Sequence, residues 1–166
     1  MEIIFATNNP NKTKEIQAIM PEAIQVFSIQ HVGFSGDIPE NQDTLEGNAS
    51  EKANYIYTYS GKNCFADDTG LEIEALNGEP GVYSARYAGA AKDPEANMGK
   101  VLEKLKHESN RKACFRCVVS LILNGKEYLF EGRVEGQILH EKKGTEGFGY
   151  DPIFLPDGYQ QSFAEM

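Results

Sequence analysis

Apolar positions in this chain follow two rhythms. Residues 3–5 (Ile-Ile-Phe) form a short unbroken apolar run, the pattern of a buried strand. Ile16, Ile19 and Met20 then recur at helical spacing and predict a helix over residues 12–20, opened by Pro10 and Asn11 and stopped by Pro21. Weak alternation over 24–29 predicts a strand, and 33–43 are rich in turn residues. Thr44 is a candidate helix cap, with Leu45, Ala49, Ala53 and Ile56 on one stripe and Asn48 and Lys52, four apart, on the neighbouring, more polar face. Residues 62–66 read as a strand running into a turn at Asp67-Asp68-Thr69-Gly70, and 71–76 alternate in part.

The second half continues the pattern. Residues 78–89 read as a loop. Asp93-Pro94 starts a helix whose buried face is Met98, Val101, Leu102 and Leu105. Residues 114–123 form a long apolar strand, Asn124-Gly125 is a type I′ hairpin signal, and 128–134 return as its partner, with 137–139 a possible extension. Residues 144–149 are a flexible loop, and Asp151-Pro152 and Asp157-Gly158 are turns. Alternating helix and strand followed by a hairpin predicts an α/β fold, a mixed β-sheet flanked by helices. No internal repeat or low-complexity segment interrupts it.

Composition narrows the class. A chain of 166 residues with 40% apolar content is enough for one domain, or one domain of two lobes, with a real core. A net charge of -9 argues against a nucleic acid or an anionic membrane surface as partner, though not against one nucleotide held by local lysines and a metal ion. There is no signal peptide and no apolar run near 18 residues, and three cysteines give no disulfide framework, so the cytoplasm is the expected compartment.

Polar residues gather after Phe5, after Ala66 and around Phe148. The first helical turn offers unpaired N–H groups, with Lys12 beside them, so an anion fits there; an ordinary capped helix fits equally. Asn8 and Asn48 carry amide donors, and Lys12 and Lys52 cations, the mixture used for phosphate oxygens; solvated helix lysines are the bland alternative. Asp67 and Asp68 follow an apolar strand directly. One carboxylate could bind a metal ion and the other a water proton, or both could serve only as turn acceptors. Glu40 is a third carboxylate. Arg86, after Ser84-Ala85, could clamp a phosphate or pair with a neighbouring acid. Gly147-Phe148-Gly149-Tyr150-Asp151-Pro152 combines close-approach glycines, an aromatic face able to stack on a base and a carboxylate, or simply anchors a loop.

Other motifs fail on spacing. Gly61-Lys62 lacks the upstream glycine and following Ser/Thr of a P-loop. Cys114 and Cys117, three apart on a strand, face opposite sides, and His31, His107 and His140 have no ligand spacing.

Taken together, five blocks resemble one family. They are Thr7-Asn8-x-x-Asn11-Lys12, the Thr44-to-Ala53 stretch with Asn48 and Lys52, Ala66-Asp67-Asp68-Thr69-Gly70-Leu71, Pro80-Gly81-Val82-Tyr83-Ser84-Ala85-Arg86-Tyr87, and Glu146-Gly147-Phe148-Gly149-Tyr150-Asp151-Pro152. The family is the inosine triphosphatases, or dITP/XTP pyrophosphatases, which act on non-standard purine nucleotides. The resemblance implies an elongated mixed sheet with two lobes and an active-site cleft between them. It implies a Mg²⁺-dependent enzyme, usually a homodimer, that hydrolyses ITP, dITP or XTP to the monophosphate and pyrophosphate. Thr7, Asn8, Lys12, Asn48 and Lys52 would hold the triphosphate. Glu40, Asp67 and Asp68 would place Mg²⁺, with Asp68 as the base. Phe148 would stack on the purine, Gly149, Tyr150 and Asp151 would shape its pocket, and Ser84 and Arg86 are possible loop contacts.

Two departures stand beside the resemblance. Gly47 occupies a position where the family often has glutamate, and members continue past the Met166 region to a Ser-His-Arg stretch and a final helix, so a further C-terminal segment is expected. A nucleotide-binding protein without turnover, or a phosphatase of another class acting on a sugar phosphate, are the competing functions.

Overall fold

A computed structural model of the chain describes residues 1–166. Six strands, β1 (Glu2–Phe5), β2 (Gln25–Phe27), β3 (Cys64–Ile73), β4 (Lys112–Leu123), β5 (Lys126–Ile138) and β6 (Phe154–Pro156), form one sheet in the order β2-β1-β3-β4-β5-β6. Strand β1 runs parallel to β2 and β3, whereas β5 and β6 are antiparallel, so the sheet is mixed as expected. Three helices accompany it: α1 (Pro10–Ile19), α2 (Leu45–Ser60) and α3 (Pro94–Lys104).

Local chemistry sets the helix ends. Asn9 caps α1 by accepting from the Asn11 N–H, Thr44 caps α2 by accepting from Gly47, and Asp93 caps α3 by accepting from Glu95. Pro10 and Pro94 occupy first-turn positions, where no backbone donor is lost to the helix. Both hairpin residues, Asn124 (φ 50°) and Gly125 (φ 83°), are left-handed, as a type I′ turn requires.

The chain divides into two compact units, residues 1–68 with 118–131 and residues 69–117 with 132–166. The first has two apolar clusters. Ile3, Phe5, Val26 and Phe65 make one, with the Phe5 and Phe65 rings stacked at 4.4 Å. Ile4, Ala6, Ala53, Ile56, Cys64, Ala66 and Ile122 belong to the other. Alternate residues of β1 thus feed opposite clusters, which explains why its apolar run is unbroken. Burial pushes the Cys64 thiol up to about 12, so it behaves as a packing residue.

The second unit has its own core of Leu71, Ile73, Met98, Val101, Leu105, Ala113, Ile138, Ile153 and Phe154. Its seam is closed by Arg111, a buried guanidinium that donates to the carbonyls of Leu105 (3.0 Å), Ile138 (2.7 Å) and Leu139 (2.7 Å). One side chain thus serves three carbonyl acceptors at once, the Leu105 carbonyl also accepting from the Glu108 N–H at 3.0 Å.

Two expectations change. The turn at 67–70 is absent: Asp67 to Gly70 lie inside β3, because ladder pairing continues through the polar stretch into the alternating residues 71–73. The loop over 78–89 contains a 3₁₀ turn at Gly81–Arg86. The possible extension of the 128–134 strand is present, with β5 running unbroken to Ile138.

Candidate active site

Because β3 is continuous, adjacent residues on it point to opposite faces. Asp67 accepts from Lys12 Nζ of α1 at 2.7 Å through Oδ2. Asp68 accepts from Asn48 Nδ2 of α2 at 3.0 Å through its own Oδ2. The paired acids are thus held by different helices, with different donors.

Helix α2 turns a polar stripe inward. Asn48 is 2% exposed and Lys52 7%, so the face expected to be more polar is buried rather than solvated. A buried amide and a buried ammonium both need partners. Asn48 Oδ1 accepts from the Gln42 N–H (2.9 Å) while its amide donates to Asp68, and Lys52 Nζ reaches Glu40 Oε1 at 2.6 Å. Asn48 therefore ties the 40–43 segment to the catalytic candidate. Gly47 is explained here as well: a Cβ on it would lie 2.7 Å from Gln42 Cβ and 2.9 Å from Thr44 Oγ1, so any side chain would disturb both the Thr44 cap and the Gln42 contact.

The turn after β1 is pinned in the same manner. Thr7 Oγ1 accepts from the Asn9 N–H (3.1 Å), and Asn8 bridges to the neighbouring loop, donating to the Gly36 carbonyl (2.8 Å) and accepting from Ile38 N–H (3.0 Å). One amide hydrogen of Asn8 is committed to that bridge, and a second can serve a ligand.

Burial holds the Asp68 carboxyl above the ordinary aspartate value; Lys52 and the Asn48 hydrogen bond pull it down, and the charges of Glu40 and Asp67 push it up again. A carboxylate raised in this way is a better proton acceptor than a solvated one. Mg²⁺ prefers one or two protein carboxylates, completing its shell with water and phosphate oxygens. No group of three or more His, Cys, Asp and Glu side chains is gathered to hold an ion. What the site offers instead, Glu40 and Asp67 each already against a cationic group, suits an ion that arrives with phosphate.

The second unit carries the other candidates. Phe148 is 63% exposed, between two left-handed glycines, Gly147 (φ 74°) and Gly149 (φ 61°). Asp151 Oδ2 accepts from the Phe148 N–H at 2.9 Å, and a Cβ on Gly147 would overlap that carboxylate. Asp151 and Gly147 together hold the backbone that displays the ring. Tyr150 is buried and donates its hydroxyl to the Ser84 carbonyl (2.6 Å), so it supports this region from within. Ser84 is also structural: its hydroxyl accepts from Leu71 N–H (2.9 Å) and donates to Gly81 (2.6 Å). Arg86 is exposed on the same 3₁₀ turn.

Two supporting residues escaped the sequence reading. Gln42 supplies the backbone donor that fixes Asn48. Asn97, buried in α3, accepts from Ala88 N–H (2.7 Å) and donates to the Ala85 carbonyl (2.9 Å), clamping the turn that carries Arg86. The available signal was a polar residue four before Val101, on the apolar stripe of α3.

This α/β sheet, with an acid pair on one strand and inward lysine and asparagine on the adjoining helices, defines a class of polar, cation-lined anion site. Residues 3–166 match the Ham1 family, and the chain belongs to it. It is 52% identical over 166 residues to the dITP/XTP pyrophosphatase of Flavobacterium johnsoniae, covering 100% of this chain and 86% of that protein. It is 45% identical to the dITP/XTP pyrophosphatase of Bacillus subtilis, covering 99% and 85%. Among solved structures, the Ham1 protein of Staphylococcus aureus superposes with a TM-score of 0.90 at 41% identity, covering 100% of this chain and 86% of that one. A HAM1 protein from Coxiella burnetii gives 0.92 at 37%, covering 100% and 87%.

Proposed function

We propose that this protein is a nucleoside triphosphate pyrophosphatase that hydrolyses ITP, dITP or XTP to the monophosphate and pyrophosphate. The observation that carries the reading is the Asp67-Asp68 pair on consecutive positions of β3, one against Lys12 and the other against Asn48. The names of the relatives at 45–52% identity support the same substrate class.

In this reading Asp68 takes a proton from the attacking water, which adds to the α-phosphorus. The bond from that phosphorus to the bridging oxygen breaks, and pyrophosphate leaves with the electron pair. Lys12, Lys52 and the amides of Asn8 and Asn48 hold phosphate oxygens, and the Thr7 hydroxyl sits at the same turn. Glu40 and Asp67 would help hold Mg²⁺, which supplies neutralisation of polyphosphate charge when bound. Phe148 stacks on the purine, on a loop held by Asp151.

Homodimer assembly and a cytoplasmic location go with this reading as family properties; no helix is long and apolar enough to cross a membrane. The test is digestion of ITP without added inorganic pyrophosphatase. IMP and pyrophosphate are expected. IDP and orthophosphate, or binding with no turnover, overturn the assignment.

A further inference from the structure

We propose that Glu51 is a positioning residue for the reaction: it latches the 40–42 segment onto α2, and through that segment it fixes the Asn48 amide that holds the Asp68 carboxylate. The inference rests on the pyrophosphatase reading and deepens it.

Three consecutive residues meet α2 in reverse order. Glu40 Oε1 pairs with Lys52 Nζ at 2.6 Å, the Asn41 N–H donates to Glu51 Oε2 at 2.7 Å, and the Gln42 N–H donates to Asn48 Oδ1 at 2.9 Å. The Asn41 side-chain amide adds a longer contact to Glu51 Oε1, at 3.4 Å. Glu51 and Lys52 follow Asn48 by three and four positions on α2, so all three share one side of the helix. The segment lies close against that helix because Gly47 has no side chain; a Cβ there would stand 2.7 Å from Gln42 Cβ. Its upstream end is held separately, by Asn8, which accepts from the Ile38 N–H and donates to the Gly36 carbonyl.

The latch matters because of how an amide is built. With Asn48 Oδ1 taken by the Gln42 N–H, its Nδ2 is the group turned to Asp68, which it meets at 3.0 Å. The Gln42 N–H keeps that direction only while the peptide before it is fixed. Glu51, a half-buried carboxylate, fixes it with a charge-assisted hydrogen bond, stronger than a bond between neutral groups. The route from Glu51 to the base therefore runs through two successive backbone N–H groups and one side-chain amide. Small displacements at its far end are costly, since a misplacement of about 1 Å can lower a rate roughly 100-fold.

Amide hydrogen exchange and ITP turnover test this on wild type, Glu51→Met, Glu51→Gln, Asn48→Ala and the Glu51→Met/Asn48→Ala double variant. In wild type the Asn41 and Gln42 N–H groups should exchange slowly. Glu51→Met removes the acceptor and keeps the bulk, so exchange should quicken at both residues and kcat should fall by about 10-fold, short of the loss a full 1 Å misplacement can cause. Glu51→Gln retains an oxygen acceptor and should recover most of the rate. In the double variant the two losses should not multiply, because Asn48→Ala has already broken the route. A residue that merely supported α2 would lower the melting temperature, give losses that multiply, and leave Gln42 exchange no more affected than the rest of the helix. Should Glu51→Met fail to fold by circular dichroism, Glu51→Gln carries the test: its weaker, neutral acceptor should still quicken exchange at Asn41 and Gln42 together. Folded Glu51→Met with the wild-type kcat, or exchange that quickens at Asn41 alone in either variant, overturns the latch and leaves the enzyme reading standing. Wild type that protects both N–H groups and does not hydrolyse ITP overturns the enzyme reading, and with it the role of Glu51 in the reaction.

Discussion

Asp67 and Asp68 are consecutive on β3 and are held from opposite sides of the strand: Lys12 pairs with the first at 2.7 Å, and Asn48 donates to the second at 3.0 Å. The strand alternation alone separates them. Two identical side chains thereby acquire different donors.

Asp68→Asn should lower turnover by about 100-fold or more with nucleotide binding largely kept, because the base is lost while the shape remains. Wild-type turnover should fall with acid at a midpoint above the ordinary aspartate value, since burial raises this carboxyl. Stability should move the other way. A folded-state value above the unfolded one contributes stability that is full below the unfolded value and is lost as pH rises through the folded value. At neutral pH the ionised, desolvated carboxylate is therefore a burden on the fold. In metal-free buffer Asp68→Asn should melt above wild type at pH 7.5, and the difference should shrink toward about pH 4. A mutant that melts lower at pH 7.5 would contradict the burial argument.

Asp67→Asn should raise the Mg²⁺ concentration needed for half-maximal turnover, and excess metal should restore much of the rate. A Mg²⁺ titration of both aspartate variants checks this. Rescue of Asp68→Asn and not of Asp67→Asn would mean that the two roles are exchanged.

Phe148→Ala should raise KM by about 5- to 150-fold, the loss of one stacking contact of about 1–3 kcal/mol. It should do so alike for ITP, XTP, ATP and GTP, because every base has a π face. Discrimination has to come from the edges: hypoxanthine offers N1–H and O6, while adenine offers neither, and each unpaired buried group costs about 1–3 kcal/mol. Steady-state kinetics on four nucleotides decides it, and a changed preference ratio would assign Phe148 a selective role.

Gly47→Glu, which supplies the carboxylate usual in the family, should lower both stability and activity here. Its Cβ would meet Gln42 and Thr44, disturbing the α2 cap and the segment that orients Asn48. Loss of a cap of this type costs about 1 kcal/mol. Thermal melting and ITP turnover of the variant give the answer, and a gain in either would show that the segment relaxes freely.

Arg111→Met should destabilise the protein by about 2–4 kcal/mol, because the guanidinium's hydrogen bonds to three carbonyls are lost together. Chemical denaturation measures it. A loss no larger than that of an exposed arginine would mean that water replaces the guanidinium.

The sequence by itself determined the elements and the cast of residues. The unbroken apolar run of β1 and the period near four in α2 and α3 are local consequences of side-chain geometry, so they are readable without a fold. Caps at Thr44 and Asp93 and the Asn124-Gly125 turn are local too, and the ordered polar blocks were sufficient to name a family. Tertiary structure decided partners. Nothing in the spacing of Lys52 says whether it faces water or Glu40, since both residues belong to polar segments and only the packing of α2 brings them to 2.6 Å. The same holds for β3. A run of Asp-Asp-Thr-Gly has the composition of a turn, and it is a strand because neighbouring strands offer a ladder that local propensity cannot see. Tyr150 and Asp151 likewise read as pocket residues in sequence, whereas their hydrogen bonds to the Ser84 carbonyl and the Phe148 N–H make them supports for the ring between Gly147 and Gly149. Periodicity is written along the chain; which charge answers which is set by residues that meet only after folding.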